Sequence, residues 1–199
     1  MLFRSDEEAE EDLMALAGVG DANVRSGLWE TLQGRSTWLL INLGTAILAS
    51  VVIGIFDATI EQLVALAILM PIVASMGGNA GTQSLTVAVR AIATKDLTGS
   101  NVWRVITREI SVGAINGLIF AVVMGIVGVI WFGSPALGYV IALAMIINMI
   151  VAGLAGTAIP VILEKMGIDP ALASGAFVTT VTDVVGFFAF LTLAGVFLL

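Results

Sequence analysis

The sequence predicts an all-α membrane protein with five transmembrane helices per chain. Three observations predict it. First, hydrophobic types make up 59% of the 199 residues and charged types 12%, where soluble domains carry roughly 45–50% and about 25%. A water-facing helix needs a polar side, and so few charges cannot supply five of them. Second, the charges are clustered. Residues 37–56, 63–89 and 110–163 contain none, and residues 171–199 contain one, Asp183. Third, the apolar stretches have the length of a bilayer crossing and recur to the end of the chain. Strands are a poor fit, because no two-residue alternation is sustained and the segments exceed a membrane strand.

The spans follow in order. The first is 37–56, twenty residues, which at 1.5 Å each cover about 30 Å, one hydrocarbon thickness. The second is 63–93, interrupted by Pro71 and a glycine-rich polar patch. The third is 110–132, the fourth 137–163 and the fifth 171–199. Breaks fall at FDATIEQ, between Thr94 and Trp103, at Gly133–Pro135 and from Lys165 to Pro170, where polar residues, Gly and Pro end helices. Residues 1–35 form an acidic leader with eight acids and three arginines. Ser5 and Glu8 have capping-box spacing, so a helix is expected near Glu7–Leu16. The net charge of −7 is mainly a property of this leader, and residues 36–199 form the membrane domain.

Basic residues set the expected orientation. Arg25, Arg35, Arg90, Lys95, Arg104, Arg108 and Lys165 fall in the leader or in the loops after spans two and four. The other loops and the C-terminus have none. The positive-inside rule therefore puts the N-terminus in the cytoplasm and the C-terminus outside.

Composition also excludes functions. With no Cys and no His there is no disulfide framework, no Cys/His zinc site, no thiol nucleophile and no His-based catalysis. No basic excess is available for nucleic acid. No phosphate-cradling GxxxxGK[ST] or hydrolytic motif appears, so the chain does not read as an enzyme.

Asp183 is the sharpest polar feature. It lies midway through the fifth span, and an ionised carboxylate in lipid needs a partner or a water-filled path. No Lys or Arg lies at its depth, so a cation is the natural counter-charge. Helical spacing sets Thr179 and Gly186 on its face; Thr supplies a hydroxyl, and Gly leaves room for a hydrated ion or a close helix. A protonated Asp183 bonded within the bundle and a proton relay are alternatives. In the second span, Pro71 should kink the helix. Gly77, Gly78 and Gly81 should expose carbonyls or admit a neighbour, and Asn79 and Gln83, four apart, offer amide oxygens. Glu109 begins the third span beside Arg108, as a cation recruiter, a surface ion pair or an interfacial anchor. Asp57 and Glu61 sit in the outer loop. Asn116 and Asn148 are amides at membrane depth, expected to bond between helices, and Gly113, Gly117, Ala121 and Gly125 form a small-residue packing face. Trp29, Trp38, Trp103 and Trp131 fall near expected interfaces, and Pro160 should bend the end of span four. Oxygen donors without Cys or His suit a hard divalent ion such as Mg2+, which sheds its waters reluctantly. Two chains paired at Asp183 would balance its charge.

Two segments, PIVASMGGNAGTQS (71–84) and TTVTDVVGFF (179–188), resemble the membrane domain of the MgtE family of magnesium channels, which is related to eukaryotic solute carriers. The leader segment DEEAEEDLMALAGV resembles the connecting helix that precedes this domain. The resemblance implies a homodimer with the pore between subunits, in the cell membrane. It implies that Asp183, flanked by Thr179 and Gly186, binds hydrated Mg2+ at the pore centre. It places the second-span motif at Gly78, Asn79, Gly81 and Gln83, and an inner-mouth acid at Glu109. The expected function is Mg2+ conduction into the cytoplasm down its electrochemical gradient, with Mn2+, Co2+ or Ca2+ as surrogate ions. The alternatives are a secondary transporter coupled to H+ or Na+, and a membrane assembly or signalling subunit. Full-length members carry cytoplasmic Mg2+-sensing domains, which this chain is expected to lack.

Overall fold

A computed structural model describes residues 27–97 and 99–199. The expected leader helix near Glu7–Leu16 lies outside the described residues. These fold into six helices: α1 Leu28–Gly54, α2 Asp57–Gln62, α3 Ala65–Ala93, α4 Val102–Phe132, α5 Pro135–Lys165 and α6 Pro170–Phe197. Five of them, all but α2, are long and apolar enough to cross a membrane.

The ends are set by local chemistry. Ser134 accepts from Leu137 N–H at 3.3 Å, and Asp169 accepts from Ala171 N–H at 2.8 Å, each just before a proline at the first helical position. Gly133 closes α4 in the left-handed conformation, φ +64°, with its N–H on Val129 O. Gly167, φ +74°, closes α5 with Ile168 N–H on Leu163 O and its own N–H on Glu164 O, the paired bonds of a Schellman cap.

Two boundaries differ from the sequence expectation. α1 starts nine residues before position 37 and α4 eight before position 110. A charge ends a lipid-compatible run, but it does not end a helix. Glu30, Gln33 and Arg35, and likewise Arg104, Arg108 and Glu109, are good helix formers. FDATIEQ, expected as a break, is largely the short helix α2, so Asp57 and Glu61 are exposed on a helix rather than in a loop. Pro71 sits inside α3 without ending it.

Helix α5 is the hub. It packs on α4 along one side and on α3 and α6 along the other, while α1 leans on α6. More than half of the membrane-length window of α5 is buried, and almost none of α1's. The core gathers Leu66, Leu69, Val73, Met145, Met149 and Phe190. The small-residue face of α4 lies against α5 as its pattern requires. A Cβ on Gly113 would meet Met149 O, one on Gly117 would meet Ile146 Cα, and one on Gly128 would meet Gly138 Cα. Backbones this close gain dispersion contacts without relying on a hydrophobic force that lipid does not supply. Outward faces are apolar, with Leu39, Leu43, Ile47, Ile119, Ile126 and Ile130 exposed. Such continuous exposure suits lipid as the solvent. Trp29, Trp103 and Trp131 are also exposed.

Candidate ion-binding site

Helices α3 and α6 meet through glycines. Gly77 and Gly186 both face the Asn148 side chain from α5, and a Cβ on Gly81 would touch Val178 and Thr182. Gly77 is thus level with Gly186, and Gly81 lies between Val178 and Thr182. The two helices run antiparallel here, and Asp183 of α6 and Asn79 of α3 both fall between these two levels.

Asp183 is half-buried. Among the described residues no donor reaches its carboxylate, and no group of three or more acidic, His or Cys side chains gathers to hold a metal. A threonine turn precedes it. Thr179 donates to Gly175 O at 3.0 Å, Thr180 to Ala176 O and Thr182 to Thr179 O. Their protons are spent on the helix backbone, so the hydroxyl oxygens keep acceptor capacity. Thr179 and Thr180 are half-buried; Thr182 is buried against Gly81.

On α3 a polar stripe faces away from the core. Ser75, Asn79, Thr82, Gln83, Thr86 and Arg90 are all exposed and recur at helical spacing. Asn79 Nδ2 reaches Ser75 Oγ at 3.4 Å, and Thr82 and Thr86 donate to Gly78 O and Thr82 O. Beside the stripe, a Cβ on Gly78 would meet nothing within 4 Å. In a largely apolar exterior, so long a stripe of polar side chains calls for water, ions or another chain.

Glu109 is not at the surface. It is 8% exposed, and Ser84 Oγ donates to its Oε2 at 2.9 Å. Room for this comes from α5: a Cβ on Gly153 would meet Glu109 O, and one on Gly156 would meet Ser84 Cβ and Gly81 O. Arg108 points outward. The surface ion-pair and interfacial readings of Glu109 are therefore corrected, because helix rotation turns position 109 toward α3 and α5.

The sequence model of the family described as MgtE, divalent cation transporter, matches residues 70–193. The chain belongs to the MgtE family. It is 34% identical over 96% of its length to the magnesium transporter MgtE of Bacillus subtilis, and 35% identical over 97% to that of Enterococcus faecalis. It is 34% identical over 94% to that of Thermus thermophilus. The chain spans less than half the length of these curated relatives, 43%, 43% and 42%. All three are named as transporters. Together with five crossing-length helices, this makes the chain a multi-pass membrane protein.

Within this MgtE-family chain, the candidate residues divide into two groups. Asp183, Thr179, Gly78, Asn79 and Gln83 are open or half-open. Gly81, Gly186 and Glu109 are buried in helix contacts. Gly186 in particular faces Asn148, a close neighbour from α5. Asn148 bonds between helices as expected, donating to Val73 O at 2.8 Å. Asn116 is half-buried, and no bond from it to another described residue is present. The sequence reading did not single out Ser84, Gly153 or Gly156. The spacing of small residues in AGLAGT (152–157) was the available signal for the last two.

Proposed function

We propose that the chain is the pore-forming membrane domain, residues 36–199, of a Mg2+ channel, preceded by a leader at 1–35 that connects to cytoplasmic domains. The N-terminus is cytoplasmic and the C-terminus outside, by the distribution of Lys and Arg. Two chains pair, and the path runs between them.

One observation carries this reading. Asp183 is an unbonded carboxylate in the same layer as Asn79 of the polar stripe of α3, at membrane depth in a largely apolar exterior. One carboxylate per chain does not neutralise a divalent ion, and two do. The neutral oxygens we assign to the path are those of Thr179, Asn79 and Gln83. Neutral oxygens accept hydrogen bonds from ion-bound water, which suits Mg2+ because it keeps several waters. Gly78, with open space beside it, leaves room for that hydrated ion. The names of the relatives, magnesium transporters, support Mg2+ as the transported ion.

The test is a proteoliposome flux assay across Mg2+, Mn2+, Co2+, Ca2+ and Na+, with Asp183→Asn beside the unchanged protein. Divalent flux that depends on Asp183 and persists without H+ or Na+ gradients is the expected result. Flux that collapses with a partner-ion gradient would establish a coupled carrier. Unchanged flux in Asp183→Asn would sink the pore role.

A further inference from the structure

We infer that Asn148 is a positioning residue for the Asp183 ion site, deepening the channel reading on which it rests. Its Nδ2 donates to the backbone carbonyl of Val73 in α3 at 2.8 Å. Its amide fills a recess whose walls are Gly77 of α3 and Gly186 of α6. A Cβ on either glycine would collide with the amide. One side chain of α5 therefore sets the separation of α3 and α6. It does so within one helical turn of Asp183 on α6 and of Asn79 on α3.

Packing alone does not account for an amide here. Asn148 is 1% exposed, and its Oδ1 is buried with no hydrogen-bond partner among the described residues. A buried orphan acceptor is costly, and its neighbours Met145, Met149 and Ala152 are apolar. The reversed amide would set oxygen against oxygen at Val73. What an apolar residue of the same size lacks is the donor that fixes α3 in rotation and height. That rotation decides where the stripe of Asn79 and Gln83 points relative to Asp183.

The experiment measures Mg2+ flux of the full chain in proteoliposomes as a function of Mg2+ concentration, with thermal unfolding in detergent alongside. Asn148→Leu keeps the bulk and removes the donor. It is expected to stay folded and raise the half-saturating Mg2+ concentration about three- to tenfold, the range that one buried hydrogen bond supplies. Asn148→Asp, whose protonated form restores one donor, is expected to recover part of that loss. A folded Asn148→Leu with half-saturation within twofold of the unchanged protein overturns the inference. Failure of both variants to fold also overturns it, since Asn148 would then be a stability element only. Asp183→Asn separates the layers. If it abolishes saturable Mg2+ flux while the Asn148 variants change nothing, only the positioning role falls. If it changes nothing, the channel reading falls and the positioning role with it.

Discussion

Ser84 and Glu109, twenty-five residues apart, share a buried hydrogen bond of 2.9 Å that joins α3 to α4 across the glycine-cleared face of α5. The two helices otherwise touch little. A buried carboxylate that keeps a hydroxyl donor is a tie between helices whose loss leaves a buried acceptor unpaired.

Ser84→Ala should therefore destabilise the domain by about 1–3 kcal/mol. Glu109→Gln keeps one acceptor and should cost less. Combining Ser84→Ala with Glu109→Leu, which removes the acceptor, should cost less than the sum of those two single variants, with a coupling of roughly 1–2 kcal/mol, read from a double-mutant cycle of unfolding in detergent. Additive effects would mean the bond contributes nothing.

Removing the single carboxylate of α6 should weaken ion binding and leave the fold intact. Asp183→Asn is expected to lower Mg2+ affinity by about tenfold or more, equivalent to roughly 1.4 kcal/mol or more of lost attraction. Its unfolding temperature should equal or exceed that of the unchanged protein, because a costly half-buried charge is gone. Isothermal titration and thermal unfolding read the two quantities separately.

Two glycines of the membrane helices should respond differently to alanine. Gly113→Ala pushes a Cβ into Met149 O and should destabilise by about 1–3 kcal/mol through overpacking. Gly78→Ala meets nothing within 4 Å and should leave stability unchanged or raised by up to about 1 kcal/mol. Any fall in Mg2+ flux for Gly78→Ala then reports the path and not the fold. Unfolding and flux measured on the same preparations decide this.

The start of α6 depends on its cap. Asp169→Ala removes the acceptor for Ala171 N–H and should cost about 0.5–2 kcal/mol. Asp169→Asn should recover most of it. Equal stability of the alanine and asparagine variants would contradict the capping role.

Much of the fold is legible in the sequence. Stretches without charge gave five crossings, since lipid tolerates few polar groups, and the Gly/Pro breaks separated them. The α1 and α4 starts were missed because hydropathy reads the membrane boundary and helix propensity reads the helix. The α4 glycine face was legible, because small residues at helical spacing need a close neighbour. The role of Gly186 was only half legible. Periodicity put it on one face with Asp183, but a face about 100° wide meets both a neighbouring helix and the exterior.

By itself the sequence determined the solvent, the number of crossings and the one carboxylate that lipid cannot tolerate alone. Those are properties of single residues and their spacing along one helix. The tertiary structure alone decided that Glu109 turns inward to Ser84, that Asn148 fills the recess between Gly77 and Gly186, and that Asp183 falls in the same layer as Asn79. Each depends on the rotation and height of one helix against another. Contacts between residues far apart in the chain set these, and no local pattern encodes them.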